Sequence, residues 1–133
     1  MAAQGDLEIL VKASAATTAT ENSGELNVPQ GMGIKGVAIF VDVTANAGTA
    51  ETLDITVDRF DHASNKWLAI VGAALAQITT TAGQIDLVIY PSIVEGAART
   101  VSDHIGTRWR VVSTIGGSAG QSFTFSIGAT YLV

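Results

Sequence analysis

The chain has 133 residues, a length for one domain with a single core. Hydrophobic residues make up 47% and charged residues only 14%, with a net charge of −5, which excludes the clustered basic surface that a nucleic-acid binder needs. With no cysteine there is no disulfide framework, thiolate metal site or Cys nucleophile, and no apolar run approaches the ~18 residues of a membrane span. Neither nucleic acid nor membrane is an expected partner. The stretch MAAQGDLEILVK lacks a basic segment followed by an apolar run and a cleavage site, so a soluble chain without a secretion signal is expected.

In chain order, DLEILVK alternates, with Leu7, Ile9 and Val11 on one face and Asp6, Glu8 and Lys12 around the other, and predicts a strand. AATTATENSG is small and polar and reads as a tether. Residues 1–30 are therefore expected to form an N-terminal strand or arm with a linker, and residues 31–133 a β-sandwich domain. GMGIKG, with Gly31, Gly33 and Gly36, fits G-x-G-x-x-G, and Asp54 follows at roughly the 20-residue distance of a dinucleotide fingerprint. That motif needs a strand before it and a helix after it, so that the helix N-terminus receives the pyrophosphate. Here the polar GELNVPQ precedes and the β-branched VAIFVDVTA follows, which is the reverse order. No cofactor is expected, and the glycines are read as letting the chain turn and join a sheet.

In VAIFVDV, Val37, Ile39, Val41 and Val43 share one face and Ala38, Phe40 and Asp42 the other. ANAG, residues 45–48, reads as a turn. ETLDITVDRFD then alternates with Leu53, Ile55 and Val57 inward and Thr52, Asp54, Thr56 and Asp58 outward. DHASN connects it tightly to KWLAIV, which makes a long hairpin and assigns Trp67 to the core. WLAIVGAALAQIT has a helical alternative through Leu68, Val71, Leu75 and Ile78, against which Gly72 and Thr79 to Thr81 count. QIDLVIY carries Ile85, Leu87 and Ile89 inward, and Pro91 ends the ladder because it has no N–H to donate. Ser92 to Ile105 is a long connection with a helical turn through Val94, Ala98 and Val101. TRWRVVSTI and QSFTFSIGATYLV, flanking IGGSAG, predict a terminal hairpin whose apolar row is Phe123, Phe125, Ile127, Ala129 and Tyr131. The expected fold is all-β: an antiparallel β-sandwich, jelly-roll-like, with an N-terminal strand or arm. Its predicted core contains Val41, Leu53, Ile55, Val57, Trp67, Trp109, Val111, Phe123 and Phe125.

Few side chains offer chemistry. Asp54, Asp58, Asp61 and His62 lie on or beside one strand, but residues four apart on a strand are separated by roughly 13 Å, too far to share one ion. No metal site is assigned. Ser102, Asp103 and His104 are adjacent on an extended segment, where side chains point apart, and no G-x-S-x-G turn is present. No catalytic residue is assigned. Arg108 and Arg110 flank Trp109 on the opposite side of its strand, either to meet an acidic partner or to balance Asp54 and Asp58.

The sequence GVAIFVDVTANAGTAETLDITVDRFDHASNKWLAI, with GTRWRVVSTIGGSAGQSFTFSIGATYLV at the end, resembles small β-sandwich virion proteins encoded beside capsid genes in tailed bacteriophages. The shared features are a strand ending V-D-V-T, a G-T turn, an L-x-[IV]-x-[VI] strand, a turn leading into K-W, and a closing W-R-V with F-T-F-S-[IV]-G-A. The resemblance covers about Gly36 to the C-terminus and implies a decoration or cement role on the capsid, or a neck or tail part. It implies a virion location after assembly in the host cytoplasm, the major capsid protein as partner, and self-association, most simply as a homotrimer. It carries over no catalytic residue. Leu7, Ile9 and Val11, with Arg108 and Arg110, are the expected oligomer or capsid interface. The competing readings are a carbohydrate-binding sandwich, which needs exposed aromatic platforms, and a small hydrolase, which needs a polar pocket around His62 or His104.

Overall fold

The computed structural model describes residues 7–96 and 99–133. They form the strands β1 (Glu8–Thr17), β2 (Glu21–Asn22), β3 (Leu26–Asn27), β4 (Gly36–Thr49), β5 (Thr52–Asp61), β6 (Lys66–Ala74), β7 (Gly83–Ile89), β8 (Thr100–Val101), β9 (Arg108–Gly116) and β10 (Ala119–Leu132). One sheet has the order β1-β10-β4-β7-β8 and the other β2-β9-β5-β6, with β3 also paired to β9. Pairing is antiparallel except between β7 and β8. From β1 to β10 the chain alternates between sheets at almost every long strand, and only β5 and β6 form a hairpin within one sheet. With β2 and β3 taken as one strand, this is the strand order of a jelly roll, so the sandwich predicted from the alternation is present.

The period-two pattern builds the core directly. Val37, Ile39, Val41 and Val43 of β4, Leu53, Ile55 and Val57 of β5, Leu87 and Ile89 of β7, Trp109 and Val111 of β9, and Phe123, Phe125 and Ile127 of β10 are all buried. Strands β4 and β10 run side by side from Leu132 opposite Gly36 to Ala119 opposite Thr49. Gly36 is required where β4 begins, because a Cβ there would collide with the Ile89 carbonyl and the Tyr90 ring. Gly31 and Gly33 have φ of 80° and 72° in the turn before it, and a strand follows, not a helix.

Four expectations are corrected. Trp67 is outside the core: Ile70 is the buried face of β6, so the alternating Trp67 lies on the outer face, half-buried beside Phe60. The ANAG segment continues β4, and the reversal falls at Ala50 and Glu51, where Ala50 has φ of 54°. The terminal hairpin is a corner between sheets, since β9 pairs with β5 while β10 pairs with β1 and β4. The stretch expected as a tether extends β1 to Thr17, whose side chain is buried, and β1 pairs with β10 of its own chain from Glu8 opposite Thr130 to Thr17 opposite Phe123. Leu7, Ile9 and Val11 accordingly pack against the chain's own core. In the connection from Ser92 to Ile105, β8 lies parallel to β7 and Val101 and Ile105 are buried. Ala98 and Asp6 lie outside the described residues.

Candidate functional site

Each sheet has an outer face, and the two are built differently. On β9, β5 and β6 the outward positions bring Arg108, Phe60 and Trp67 together, with Arg110 and Asp58 in the next row. The Arg108 guanidinium stacks 4.7 Å from the Phe60 ring centre and that of Arg110 4.6 Å from the Trp67 ring centre. Phe60 and Trp67 meet edge to face at 5.2 Å, and His62 meets Phe60 at 5.1 Å. Arg110 Nε donates to Asp58 Oδ2 at 2.9 Å, and Arg108 pairs with Glu25. Both arginines expected at an interface are thus engaged within the chain. Their ion pairs with Asp58 and Glu25 make this face a closed network.

The acidic set is dispersed among different partners. Asp54 accepts from Gln77 Nε2 at 3.2 and 3.3 Å, Asp58 is held by Arg110, and Asp61 accepts from the Ala63 N–H and the Ser64 hydroxyl. The bonds from Ser64 and then Ala63 hold the Asp61 carboxyl below its ordinary value. Among the described residues no three acidic or His groups converge as a metal set. His62 Nε2 lies 3.0 Å from Thr107 Oγ1. At the other end of the chain's candidates, Ser102 Oγ accepts from the Ser92 N–H, Asp103 accepts from Arg59 at 2.7 Å, and His104 Nε2 stands 3.9 Å from Asp103 with its ring exposed. Burial would raise the Asp103 carboxyl, but the Arg59 bond, the His104 N–H and both neighbouring charges outweigh it and hold the group low. Serine, histidine and aspartate here do not form a relay.

The outer face of β1, β10, β4 and β7 is open. Register places Leu10, Gly128, Phe40 and Asp86 in one row across the four strands, and Ser126, Asp42 and Gln84 in the next. Leu10 is 71% exposed and Phe40 49%. Over β10, β4 and β7 lies a groove of about 420 Å³, lined by Phe40, Val41, Asp42, Gln84, Ile85, Asp86, Ser126 and Gly128. Asp86 pairs with Arg99 at one side. The Asp42 carboxylate has no hydrogen-bond or ion-pair partner among the described residues. Sequence reasoning placed Phe40 and Asp42 on the face opposite the valine row without assigning them a use, and it passed over Gly128. The available signal was a glycine interrupting the outward row of FTFSIGATY beside a large apolar residue on VAIFVDV.

Comparison of the chain with family models, with curated proteins and with solved structures gives no match.

Proposed function

We propose that this chain is a structural virion component, a decoration or cement protein that binds a bacteriophage head shell through the major capsid protein and stabilises it, without catalysis. The observation that carries the reading is the open outer face of β1-β10-β4-β7, where Leu10 and Phe40 are exposed on either side of Gly128 while the opposite face is closed by its own ion pairs. The jelly-roll order and the resemblance of the sequence to small phage sandwich proteins support it. Self-association as a homotrimer, and residence in the virion after assembly in the host cytoplasm, belong to the same proposal. A neck or tail position is the variant of it with few copies.

The test is mass spectrometry of purified virions together with co-sedimentation of the purified chain with shells that lack it. The expected outcome is a copy number comparable to that of the shell protein and saturable binding that raises the shell's melting temperature. A handful of copies points to the neck or tail, and absence from virions overturns the proposal. A carbohydrate-binding module is the second reading, favoured by the outward Trp67 beside Phe60 and His62. It requires glycan-array binding that Trp67→Ala abolishes.

A further inference from the structure

Gly128 is the residue of β10 at which the pairing with β1 shifts register, since Leu10 faces Gly128 and Lys12 faces Ile127, so a β-bulge accompanies the glycine. Gly128 lies inside β10 with an ordinary backbone, and a Cβ there would meet nothing nearer than the Ile9 carbonyl oxygen at 3.8 Å, an ordinary contact. A glycine in a strand interior weakens the strand, because it gives up packing and orders a freer backbone. Its missing side chain does leave a slot. Leu10 and Phe40 stand one strand to either side, roughly 10 Å apart at ~4.8 Å per strand, so the gap between them has the width of one side chain.

The chemistry around the slot selects the occupant. Its walls are apolar, and its next row carries Asp42, a carboxylate without a partner. Asp86, at the groove's far side, is already paired with Arg99, which leaves Asp42 as the acceptor, and the chain as a whole is at −5. An apolar trough closed by an unpaired carboxylate suits a long side chain whose stem is aliphatic and whose head is cationic. A second copy of this face is a poor occupant, since a two-fold contact would set Asp42 near its own equivalent. Arg59, Arg99, Arg108 and Arg110 are already in ion pairs within the chain.

We propose that the Leu10–Gly128–Phe40 slot receives a lysine or arginine side chain from an extended segment of a protein partner, its stem between Leu10 and Phe40 and its head on Asp42. The identity of that partner as the shell protein rests on the function proposed above; the site itself does not.

Two measurements separate them. In the first, the isotope-labelled chain is titrated with N-acetyl-arginine amide and with its neutral citrulline counterpart while backbone amides are followed by NMR. Shifts at Phe40, Asp42 and Gly128 are expected for the arginine compound alone, and loss of those shifts in Asp42→Asn; no arginine-specific shift at these amides overturns the site. In the second, wild type, Gly128→Leu, Asp42→Asn and the double variant are bound to shells lacking the protein, with Thr114→Lys on the opposite outer face as a charge control. Gly128→Leu and Asp42→Asn should each weaken binding by about tenfold or more with melting temperature retained, the double variant should add little to Gly128→Leu, and Thr114→Lys should bind as wild type. Shell binding that is unaffected by Gly128→Leu overturns the assignment of the partner while leaving decoration intact, whereas no shell binding by wild type overturns decoration and leaves the site to the NMR result.

Discussion

Trp109 belongs to one sheet and Tyr131 to the other, and the two rings meet edge to face at 6.1 Å across the sandwich. The indole N–H donates to the Tyr131 hydroxyl at 3.2 Å, and that hydroxyl donates to the Asn27 carbonyl at 3.3 Å, so every polar atom of this buried pair has a partner. Burial pushes the Tyr131 phenol up, with the Trp109 bond opposing it. Two kinds of stabilisation can be separated here by substitution. Trp109→Ala removes a fully buried ring and should cost about 3 to 5 kcal/mol. Tyr131→Phe keeps the ring and leaves only the hydrogen bonds to lose, so about 1 kcal/mol is expected, somewhat more if the indole N–H finds no water. Urea denaturation followed by far-UV circular dichroism checks both values, and an alanine cost below about 1 kcal/mol would mean that the ring is not enclosed.

At the scale of elements, the loop after β8 is pinned to β5 by the Arg59 to Asp103 bond at 2.7 Å, with Arg59 also donating to the His104 carbonyl. Because the folded-state carboxyl of Asp103 is held below its ordinary value of 3.8, its contribution to stability is present above that pH and is lost as the pH falls through it toward the folded-state value. Wild type should therefore lose stability below about pH 4, and Asp103→Asn should be less stable at neutral pH and show a flatter acid limb. Equal pH dependence of the two melting curves would remove Asp103 from the acid response. The same scale shows what was legible in the sequence. Strands β4, β5 and β7 were readable because Val37 to Val43, Leu53 to Val57 and Ile85 to Ile89 obey a strict period of two. Alternation says which residues share a face, but not which face is inside, and this misplaced Trp67 when its neighbour Ile70 was the inward residue. Turn chemistry likewise marks where a chain reverses without saying whether the two arms pair, so IGGSAG read as a hairpin when it is a corner between sheets. The candidate site was the least legible part, because Leu10, Phe40 and Gly128 are brought together by register between strands more than 80 residues apart in the chain.

For the whole molecule, most connections cross from one sheet to the other, so neither sheet can form from neighbouring segments alone, and folding must wait on distant pairings. The pairing of β1 with β10 also determines how the protein meets mechanical force. Glu8 at the start of β1 lies opposite Thr130 near the end of β10, and the next pair, Leu132 opposite Gly36, has the same geometry. Tension applied between residues 7 and 133 would open the β1–β10 ladder like a zipper, one hydrogen bond after another. Tension between residues 7 and 118 would instead pull the same two strands past each other along their axes and strain the whole ladder at once, because residue 118 precedes β10 at the far end of the pair. Single-molecule pulling with handles at those two pairs of positions should give a clearly lower rupture force for the first. Equal forces would mean that some element other than the β1–β10 ladder yields first. A chain of this design should resist forces that slide β1 along β10 far better than forces that peel the two strands apart from residues 7 and 133.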